Sequence, residues 1–192
     1  VAFVASSGNL KNVEIKDSNA FDLSALTLAK VGGAGGDLTV IAGGAVTDSG
    51  TLVIPGAATI SASGQNVTLD DSSNDFGTLA ITGANVAIID TNAIILGAAT
   101  VSGTYSVTAD GAITNSGTQE ITGVTTLVAG SGNDITLNTS TNNFAAAVVI
   151  TSGRNVAITD EDTIDLGAAT VSGTYGITAG GPVTDSGTQE IA

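Results

Sequence analysis

The stretch LGAATVSGTYSVTADGAITNSGTQEI at residues 96–121 returns as LGAATVSGTYGITAGGPVTDSGTQEI at residues 166–191, an offset of 70 residues. The two stretches are identical at 20 of 26 positions. Self-similarity at a nearly fixed period is the signature of repeat architectures. Fainter copies match in the same way: GGAVTDSGTL at 43–52 with 110–119, NVTLDDSSNDF at 66–76 with 134–144, and NVEIKDSNAFDL at 12–23 with 85–96. We therefore predict one continuous segment, 1–192, built from degenerate units at about 12–84, 85–154 and 155–192.

Apolar residues alternate with polar residues inside each unit, which indicates strands rather than helices. A position that stays apolar in every copy is expected to face inward, and a position that becomes charged is expected to face solvent. Ile94 and Ile164 are therefore predicted inward, and Ile95 and Asp165 outward. The other predicted inward residues are Val13, Ile15, Phe21, Leu23, Ile54, Val86, Ile88, Leu96, Tyr105, Val107, Ile121, Val156, Ile158, Leu166, Tyr175, Ile177 and Ile191. The other predicted outward residues are Glu14, Asp22, Val53, Ala87, Glu120, Ala157 and Glu190.

Clusters of Gly, Ser, Asn and Asp separate these short strands and are typical of turns. Short strands that are apolar on one side need neighbours, and a parallel β-helix supplies them by stacking each coil on the next at about 4.8 Å. We predict an all-β fold, a parallel β-solenoid of about eight coils of roughly 22–26 residues. Each unit then divides into three coils, for example 79–100, 101–126 and 127–148. Pro182 is expected at a corner that needs no ladder N–H. A tandem of antiparallel Ig-like sandwiches is the alternative architecture.

The composition excludes several classes of function. The chain has 18 acidic residues against four basic ones, a formal net charge of −14, and no His or Cys. Nucleic acids and anionic membrane surfaces require clustered Lys and Arg, so neither is an expected partner, and no apolar run is long enough for membrane insertion. The lack of Cys excludes disulfides and thiol chemistry. We expect an exported protein, and we expect the chain to be an excerpt of a longer one.

The strings LGAATVSGTYSVTADGAITNSG, NNFAAAVVITSGRNVAITD and TTLVAGSGNDITL resemble the degenerate repeats of large bacterial surface adhesins of the filamentous haemagglutinin type. The resemblance covers nearly the whole chain and lies in the style of the repeat. It implies a right-handed parallel β-helix that forms the shaft of a fibre exported by two-partner secretion, with a role in adhesion or in attachment to a biofilm matrix. NPNG-type and NPNL-type secretion signals and an RGD tripeptide have no match in the sequence.

Two clusters of carboxylates are candidate calcium ligands: Asp70, Asp71 and Asp75, and separately Asp160, Glu161 and Asp162. Calcium needs six to eight oxygens converging on one point. The alternative is a turn in which Asp side chains accept hydrogen bonds from nearby backbone N–H groups, and the spacing of the Asp residues favours that alternative. GGAGGDLTV at 32–40 resembles a calcium-binding nonapeptide but occurs once, so we expect a turn insertion there.

The sequence therefore predicts a structural and adhesive shaft on the cell surface, with no enzymatic activity and no cofactor other than calcium. Its expected partners are its own neighbouring repeats, copies end to end, and a host-surface or polysaccharide ligand. A self-polymerising filament subunit is the main alternative. A polysaccharide-cleaving enzyme and an ice-binding protein are weaker alternatives, because the chain has few basic and aromatic residues and its Thr residues are scattered.

Overall fold

The computed structural model describes residues 10–192, so the first nine residues of the predicted segment lie outside the described part. The described residues form twenty-two strands and no helix, and therefore no helix that could span a membrane. The strands are β1 (Asn12–Asp17), β2 (Phe21–Leu23), β3 (Leu26–Thr27), β4 (Asp37–Ala42), β5 (Val46–Asp48), β6 (Leu52–Ser61), β7 (Val67–Leu69), β8 (Asp75–Gly83), β9 (Val86–Asp90), β10 (Ile94–Val101), β11 (Tyr105–Ala109), β12 (Ile113–Asn115), β13 (Gln119–Ile121), β14 (Thr125–Val128), β15 (Ile135–Leu137), β16 (Asn143–Phe144), β17 (Val148–Gly153), β18 (Val156–Asp160), β19 (Ile164–Val171), β20 (Tyr175–Ala179), β21 (Val183–Asp185) and β22 (Gln189–Ile191).

These strands stack into two parallel sheets that run along one axis. The first sheet has the order β1, β4, β6, β8, β10, β12, β15, β18, β20, and the second has the order β2, β5, β7, β9, β11, β14, β17, β19, β21. Each sheet has eight successive strand pairings along this order, which corresponds to about eight turns of a β-solenoid. The predicted parallel solenoid is confirmed. The sandwich alternative is wrong, because it requires antiparallel neighbours.

Most coils, but not all, are shorter than the predicted 22–26 residues. Asn12 pairs with Asp37, an offset of 25 residues, but Leu79 pairs with Leu96, an offset of 17. Other steps lie between, such as the offset of 19 from Val86 to Tyr105. A coil is long only where an insertion or an additional short strand is present.

The prediction that each unit comprises three coils is wrong, because the unit comprises three and a half. From Val86 the second sheet runs through Tyr105 and Thr125 to Val148, which is three full coils. Val156, the counterpart of Val86 in the next unit, then lies half a coil farther on, in the first sheet. Ile94 and Ile164 exchange sheets in the same way. Equivalent residues of successive units therefore lie on opposite sides of the solenoid.

The core is a single column of aliphatic side chains between the sheets. The inward predictions are confirmed for most positions, and Ile94 and Ile164 have no exposed surface. Val13, Leu166, Tyr175 and Ile177 are only partly buried, although they pack against the core. Ile191 is 48% exposed, because no described coil packs over it. Among the outward predictions, Glu14, Asp22, Ile95, Glu120, Ala157 and Glu190 are exposed, while Val53, Ala87 and Asp165 are half-buried.

Two predicted turn features are present. Residues 32–36 form the expected turn insertion, where Val31 and Ala34 exchange backbone hydrogen bonds of 2.8 and 3.3 Å. Four glycines in this range have positive φ, which other residues rarely adopt. Pro182 lies immediately before β21, and its carbonyl accepts the N–H of Ile164 at 3.2 Å. Its corner position is confirmed.

Candidate functional site

A third, shorter ladder runs beside the two main sheets in each complete unit. In the first unit it comprises β3, the start of β6 and the start of β8. In the second unit it comprises the end of β10, then β13 and β16. After its third strand each ladder stops, because the next coil has no strand at that place. The backbone groups at the ladder end are buried, and they require other hydrogen-bond partners.

Two buried aspartates close these ladder ends. The N–H of Phe76 donates to Oδ2 of Asp90 at 2.7 Å, and the N–H of Phe144 donates to Oδ2 of Asp160 at 2.8 Å. The other carboxylate oxygen of each aspartate accepts the N–H of the residue two positions later, at 2.9 Å in both cases. Each aspartate is 1% exposed, and burial raises the pKa of both carboxyl groups against the opposing effect of the N–H donors.

Two fully buried asparagines cap the preceding strand of the same ladder. Oδ1 of Asn74 accepts the N–H of Leu52 at 2.8 Å, and Oδ1 of Asn142 accepts the N–H of Gln119 at 3.0 Å. The main-chain carbonyl of each asparagine also accepts an N–H from the next coil at 2.7 Å. The asparagine stands two residues before the phenylalanine of the ladder end in both units, so Asn-x-Phe is a recurring structural pair.

A polar residue on the coil before holds each asparagine. Nδ2 of Asn74 donates to Asp48 at 2.6 Å, and Oδ1 of Asn142 accepts Nδ2 of Asn115 at 2.9 Å. Asp48 also accepts the backbone N–H of Asp70 at 3.0 Å. The ladder end is thus a connected polar network over three coils, and the apolar core surrounds part of it.

Polar side chains also stack along a corner of the solenoid. In one stack Asn66 accepts the N–H of Asn85, and Asn85 accepts the N–H of Thr104 at 3.0 Å. A second stack contains Asp134, Asn155 and Thr174 in the same relation. Arg154 donates to both carboxylate oxygens of Asp134, at 2.8 and 2.9 Å, and holds the pKa of that carboxyl well below its usual range.

The structure separates the candidate calcium ligands. Oδ1 of Asp71 accepts the N–H of Ser73 at 2.9 Å, Asp75 lies in β8, and Asp70 is exposed. In the other cluster Asp160 is buried at the ladder end, while its neighbours 161 and 162 are exposed. Within residues 10–192 no group of three or more Asp, Glu, His or Cys side chains is arranged to hold a metal ion.

The middle residue of the segments FDL (21–23), IIL (94–96) and IDL (164–166) points outward, and hydroxyl groups of the next coil surround it in the same way where it is an aspartate. Asp22 accepts hydrogen bonds from Ser49 at 2.6 Å and Thr47 at 2.9 Å, and these hydroxyls lower its pKa. Asp165 accepts hydrogen bonds from Ser186 at 2.7 Å and Thr184 at 3.2 Å. These carboxylates are therefore bound by hydroxyl groups of the next coil. Ile95 occupies the same position in the second unit.

The sequence interpretation expected Asp side chains to accept hydrogen bonds from nearby backbone N–H groups, and Asp160 does so with the N–H of Asp162. It missed the bonds that Asn74, Asn142, Asp90 and Asp160 make to strands of other coils. It treated such residues as parts of solvated turns, although all four are buried. For the asparagines the available signal was their recurrence two residues before Phe76 and Phe144, in the segments NDF and NNF. For the aspartates it was their recurrence at the end of NVAIID (85–90) and NVAITD (155–160). A polar residue that recurs next to an inward aromatic residue is a candidate cap.

Comparison with known proteins identifies the repeat. A family model described as repeats of unknown function (DUF5649) matches residues 10–82, 83–151 and 153–192. A search of curated proteins and a search of solved structures each found no match.

Proposed function

The chain belongs to the family of repeats of unknown function (DUF5649), and we propose that it is a structural shaft segment of an extracellular or cell-surface fibre. One observation carries the proposal. Both sheets continue through about eight turns from β1 to β21 without a change of strand direction. The repeats therefore share one core and one pair of ladders. A chain of separate domains would instead interrupt the ladders at each unit.

This architecture suits a mechanical role. Each coil adds about 4.8 Å of length and is hydrogen-bonded to both neighbours along the axis. One unit of three and a half coils therefore adds about 17 Å. The aliphatic core and the capped ladder ends resist bending, because a bend would open backbone hydrogen bonds in a buried environment. Reach and stiffness are the properties that we propose for the segment.

The finer role that we propose is attachment to a host surface or a polysaccharide matrix, outside the cell. The resemblance of the repeats to filamentous haemagglutinin-type adhesins supports it. The surface is also compatible with this role: the outward side chains of successive second-sheet strands are small and uncharged, namely Thr47, Thr68, Ala87, Ser106 and Thr126. The net charge of −14 favours solubility and disfavours nucleic acid as a partner.

Imaging of tandem arrays tests the shaft. Chains with one, two and three added copies of residues 85–154 would be examined by electron microscopy. We expect rods of constant width whose length grows by about 17 Å for each added copy. Beads of separate domains, or flexible chains without a fixed increment, would contradict the proposal.

A self-polymerising filament subunit is the second candidate. It is compatible with the parallel pairing of each coil with the next, which a second copy of the chain would continue in the same way. Open edges promote pairing between molecules. Sedimentation of the purified chain over a range of concentrations separates the two functions. Filaments that appear above a critical concentration support the subunit, and a monomer at every concentration supports the shaft.

A further inference from the structure

Each of the two complete units has one junction between successive coils that can be compared residue by residue. In the first unit β4, β5 and the start of β6 are covered by the end of β6, β7 and the start of β8. In the second unit β11, β12 and β13 are covered by β14, β15 and β16. The three ladders of each junction contain four, two and two residue pairs, so the ladders of the two junctions are equal.

The cap of the third ladder is also the same in both junctions. An asparagine of the covering coil accepts the N–H of Leu52 at 2.8 Å in the first unit and the N–H of Gln119 at 3.0 Å in the second. Backbone bonding therefore does not distinguish the two junctions.

The core side chains of the junctions do differ. The segments DLTVIAGGAVTDSGTL (37–52) and TYSVTADGAITNSGTQ (104–119) align without a gap, so Tyr105 takes the place of Leu38 and Gln119 takes the place of Leu52. All four side chains are at most 1% exposed. A polar group has thus replaced an apolar one at two buried positions.

A third buried position changes in the same way. Leu38 pairs with Ala58 in the covering coil, whereas Tyr105 pairs with Thr125, and neither Ala58 nor Thr125 has exposed surface. We call the first set the apolar junction, formed by Leu38, Leu52 and Ala58. We call the second set the polar junction, formed by Tyr105, Gln119 and Thr125.

The unpartnered polar atoms of the core are confined to such positions. Five buried side-chain oxygens have no hydrogen-bond partner within residues 10–192: Tyr105 OH, Gln119 Oε1, Thr125 Oγ1, Tyr175 OH and Gln189 Oε1. The last two stand in the third unit at the places of Tyr105 and Gln119. The apolar junction has no polar side-chain atom.

This difference changes the free energy of opening each junction. Opening the apolar junction exposes aliphatic side chains to water, which is unfavourable. Opening the polar junction exposes the tyrosine ring but also returns three oxygens to water, which is favourable. In a solenoid the stability is approximately a sum of coil terms and terms between neighbouring coils, so one weaker junction can open while the others stay closed.

We propose that the polar junction is the place at which the shaft opens first. This inference rests on the proposed shaft function and adds the point at which the shaft yields. The polar junction lies in the middle of the two sheets, and the apolar junction lies closer to β1. Fraying from the ends would favour the opposite order, because strands at an end have fewer neighbours. A load-bearing rod of this kind yields at a defined coil and keeps its other coils closed.

Amide hydrogen exchange of the 192-residue chain tests the order of opening. The N–H of Val46 donates to the Asn66 carbonyl across the apolar junction, and the N–H of Ile113 donates to the Asp134 carbonyl across the polar junction, both at 3.0 Å. After correction for intrinsic rates, we expect exchange at Ile113 to be roughly tenfold faster or more. The capped N–H groups of Gln119 and Leu52 should differ in the same direction. Equal rates, or faster exchange in the apolar junction, overturn the proposal.

A double variant tests the cause. Tyr105→Phe with Thr125→Val removes two of the three oxygens and nearly keeps the shape of the side chains. Exchange at Ile113 should slow by roughly tenfold, while exchange at Val46 stays the same. Thr126→Val is the matched control, because it makes the same substitution at the neighbouring outward position, and it should leave Ile113 unchanged. No slowing at Ile113, or equal slowing at Ile113 and Val46, would refute the role of the buried oxygens.

Failure of this inference is distinguishable from failure of the shaft. Imaging of the tandem arrays measures the shape of the chain and does not depend on which junction opens first. Rods of fixed increment with equal exchange at Ile113 and Val46 would refute the yield point alone. Beads of separate domains would refute the shaft.

Discussion

At the scale of single residues, the face of the strand on which a side chain lies decides how strongly its substitution changes the stability of the fold. Ile94 and Ile95 are adjacent residues of one type in β10, yet Ile94 has no exposed surface and Ile95 is 41% exposed. Asp22 and Asp165 occupy the position of Ile95 in the other units and are bound by Ser and Thr hydroxyls. Thr114 and Ser116 stand in the corresponding places beside Ile95. The outward site therefore accepts a carboxylate, and the inward site does not.

We predict that Ile94→Asp lowers the free energy of unfolding by more than about 4 kcal/mol, because it buries a charge without a partner. Ile95→Asp is the matched control and should change that free energy by less than about 0.5 kcal/mol. Urea denaturation followed by circular dichroism measures both. Similar losses for the two variants would contradict the assignment of inward and outward faces.

The Tyr105 hydroxyl is buried in the core and has no hydrogen-bond partner among the described residues. Burial also raises the pKa of its phenol. A buried polar group without a partner costs about 1–3 kcal/mol. We predict that Tyr105→Phe increases the free energy of unfolding by about 1 kcal/mol, as measured by chemical denaturation. Tyr175→Phe, at the counterpart in the last coil, should have an effect of the same sign, because the Tyr175 hydroxyl is also buried without a partner among the described residues. A loss of stability in Tyr105→Phe would indicate that the hydroxyl is bonded in solution.

At the scale of the strands, the ends of the third ladder depend on side-chain caps. A ladder in water can end anywhere, because solvent satisfies its last N–H groups. The ladders that end at Phe76 and Phe144 lie in the interior, where these residues have at most 1% exposed surface. Asp90 and Asp160 replace the missing strand at these points. The caps thus allow the number of strands in a coil to change without unsatisfied backbone groups.

Asp160→Ala should lower the free energy of unfolding by about 2–3 kcal/mol, because it removes an acceptor from two backbone N–H groups. Asp71 makes the same local bond, since it accepts the N–H of Ser73 two positions later, but it caps no ladder end among residues 10–192. Asp71→Ala should therefore cost less than about 1 kcal/mol. Thermal and urea unfolding of the two variants would be compared. An equal loss of unfolding free energy in the two variants would mean that the hydrogen bond at the ladder end does not contribute to stability.

The caps also predict a pH dependence. The raised pKa of Asp90 and Asp160 means that protonation favours the folded state. Their contribution to stability should increase as the pH falls from 7 toward about 4, the ordinary pKa of Asp, and should be lost again as the pH rises. The lowered pKa of Asp22 and Asp134 acts in the opposite sense, and stability should decline as the pH falls below about 4.

Denaturation midpoints from pH 7 to pH 3 measure this profile. Reduced repulsion among the acidic residues also favours the folded state at lower pH. The double variant Asp90→Asn, Asp160→Asn separates the two causes, since it removes only the caps' titration. The denaturation midpoint of the double variant should change less between pH 7 and pH 4 than that of the unmodified chain. An equal change in both would assign the whole effect to net charge.

At the scale of the whole molecule, the unit of three and a half coils turns each repeat by half a coil relative to the one before. A feature of one unit is therefore displayed on the opposite side in the next. Asp22 and Asp165 face outward from the second sheet, and Ile95 faces outward from the first. A partner that contacts one side of the rod would meet equivalent residues only in alternate units, about 34 Å apart.

Deletion of a complete unit tests this organisation. Removal of residues 85–154 places Asp160 where Asp90 stood, so the cap on Phe76 is kept. We expect a cooperatively folded rod that is shorter by about 17 Å, measured by small-angle scattering and urea unfolding. Removal of residues 86–104 is the matched control: it stacks Tyr105 in the place of Val86 but removes Asp90. That variant should be less stable than the unit deletion although it loses fewer coils, and the reverse order would contradict the capping role.

The sequence by itself determined the class of fold and the two faces of most strands. Comparison of the repeat copies separates inward Ile94 from outward Ile95, because Asp22 and Asp165 take the place of Ile95 in the other units. The turn residues limit strand length, so parallel stacking follows from the need to bury one face. The pairing of strands was decided only by the tertiary structure. Alternation is the same in both sheets, so it could not show that Val86 and Val156 lie on opposite sides. The burial of Asp90 and Asp160 was also decided only by the tertiary structure. Their partners, the N–H groups of Phe76 and Phe144, approach these carboxylates only when the coils stack.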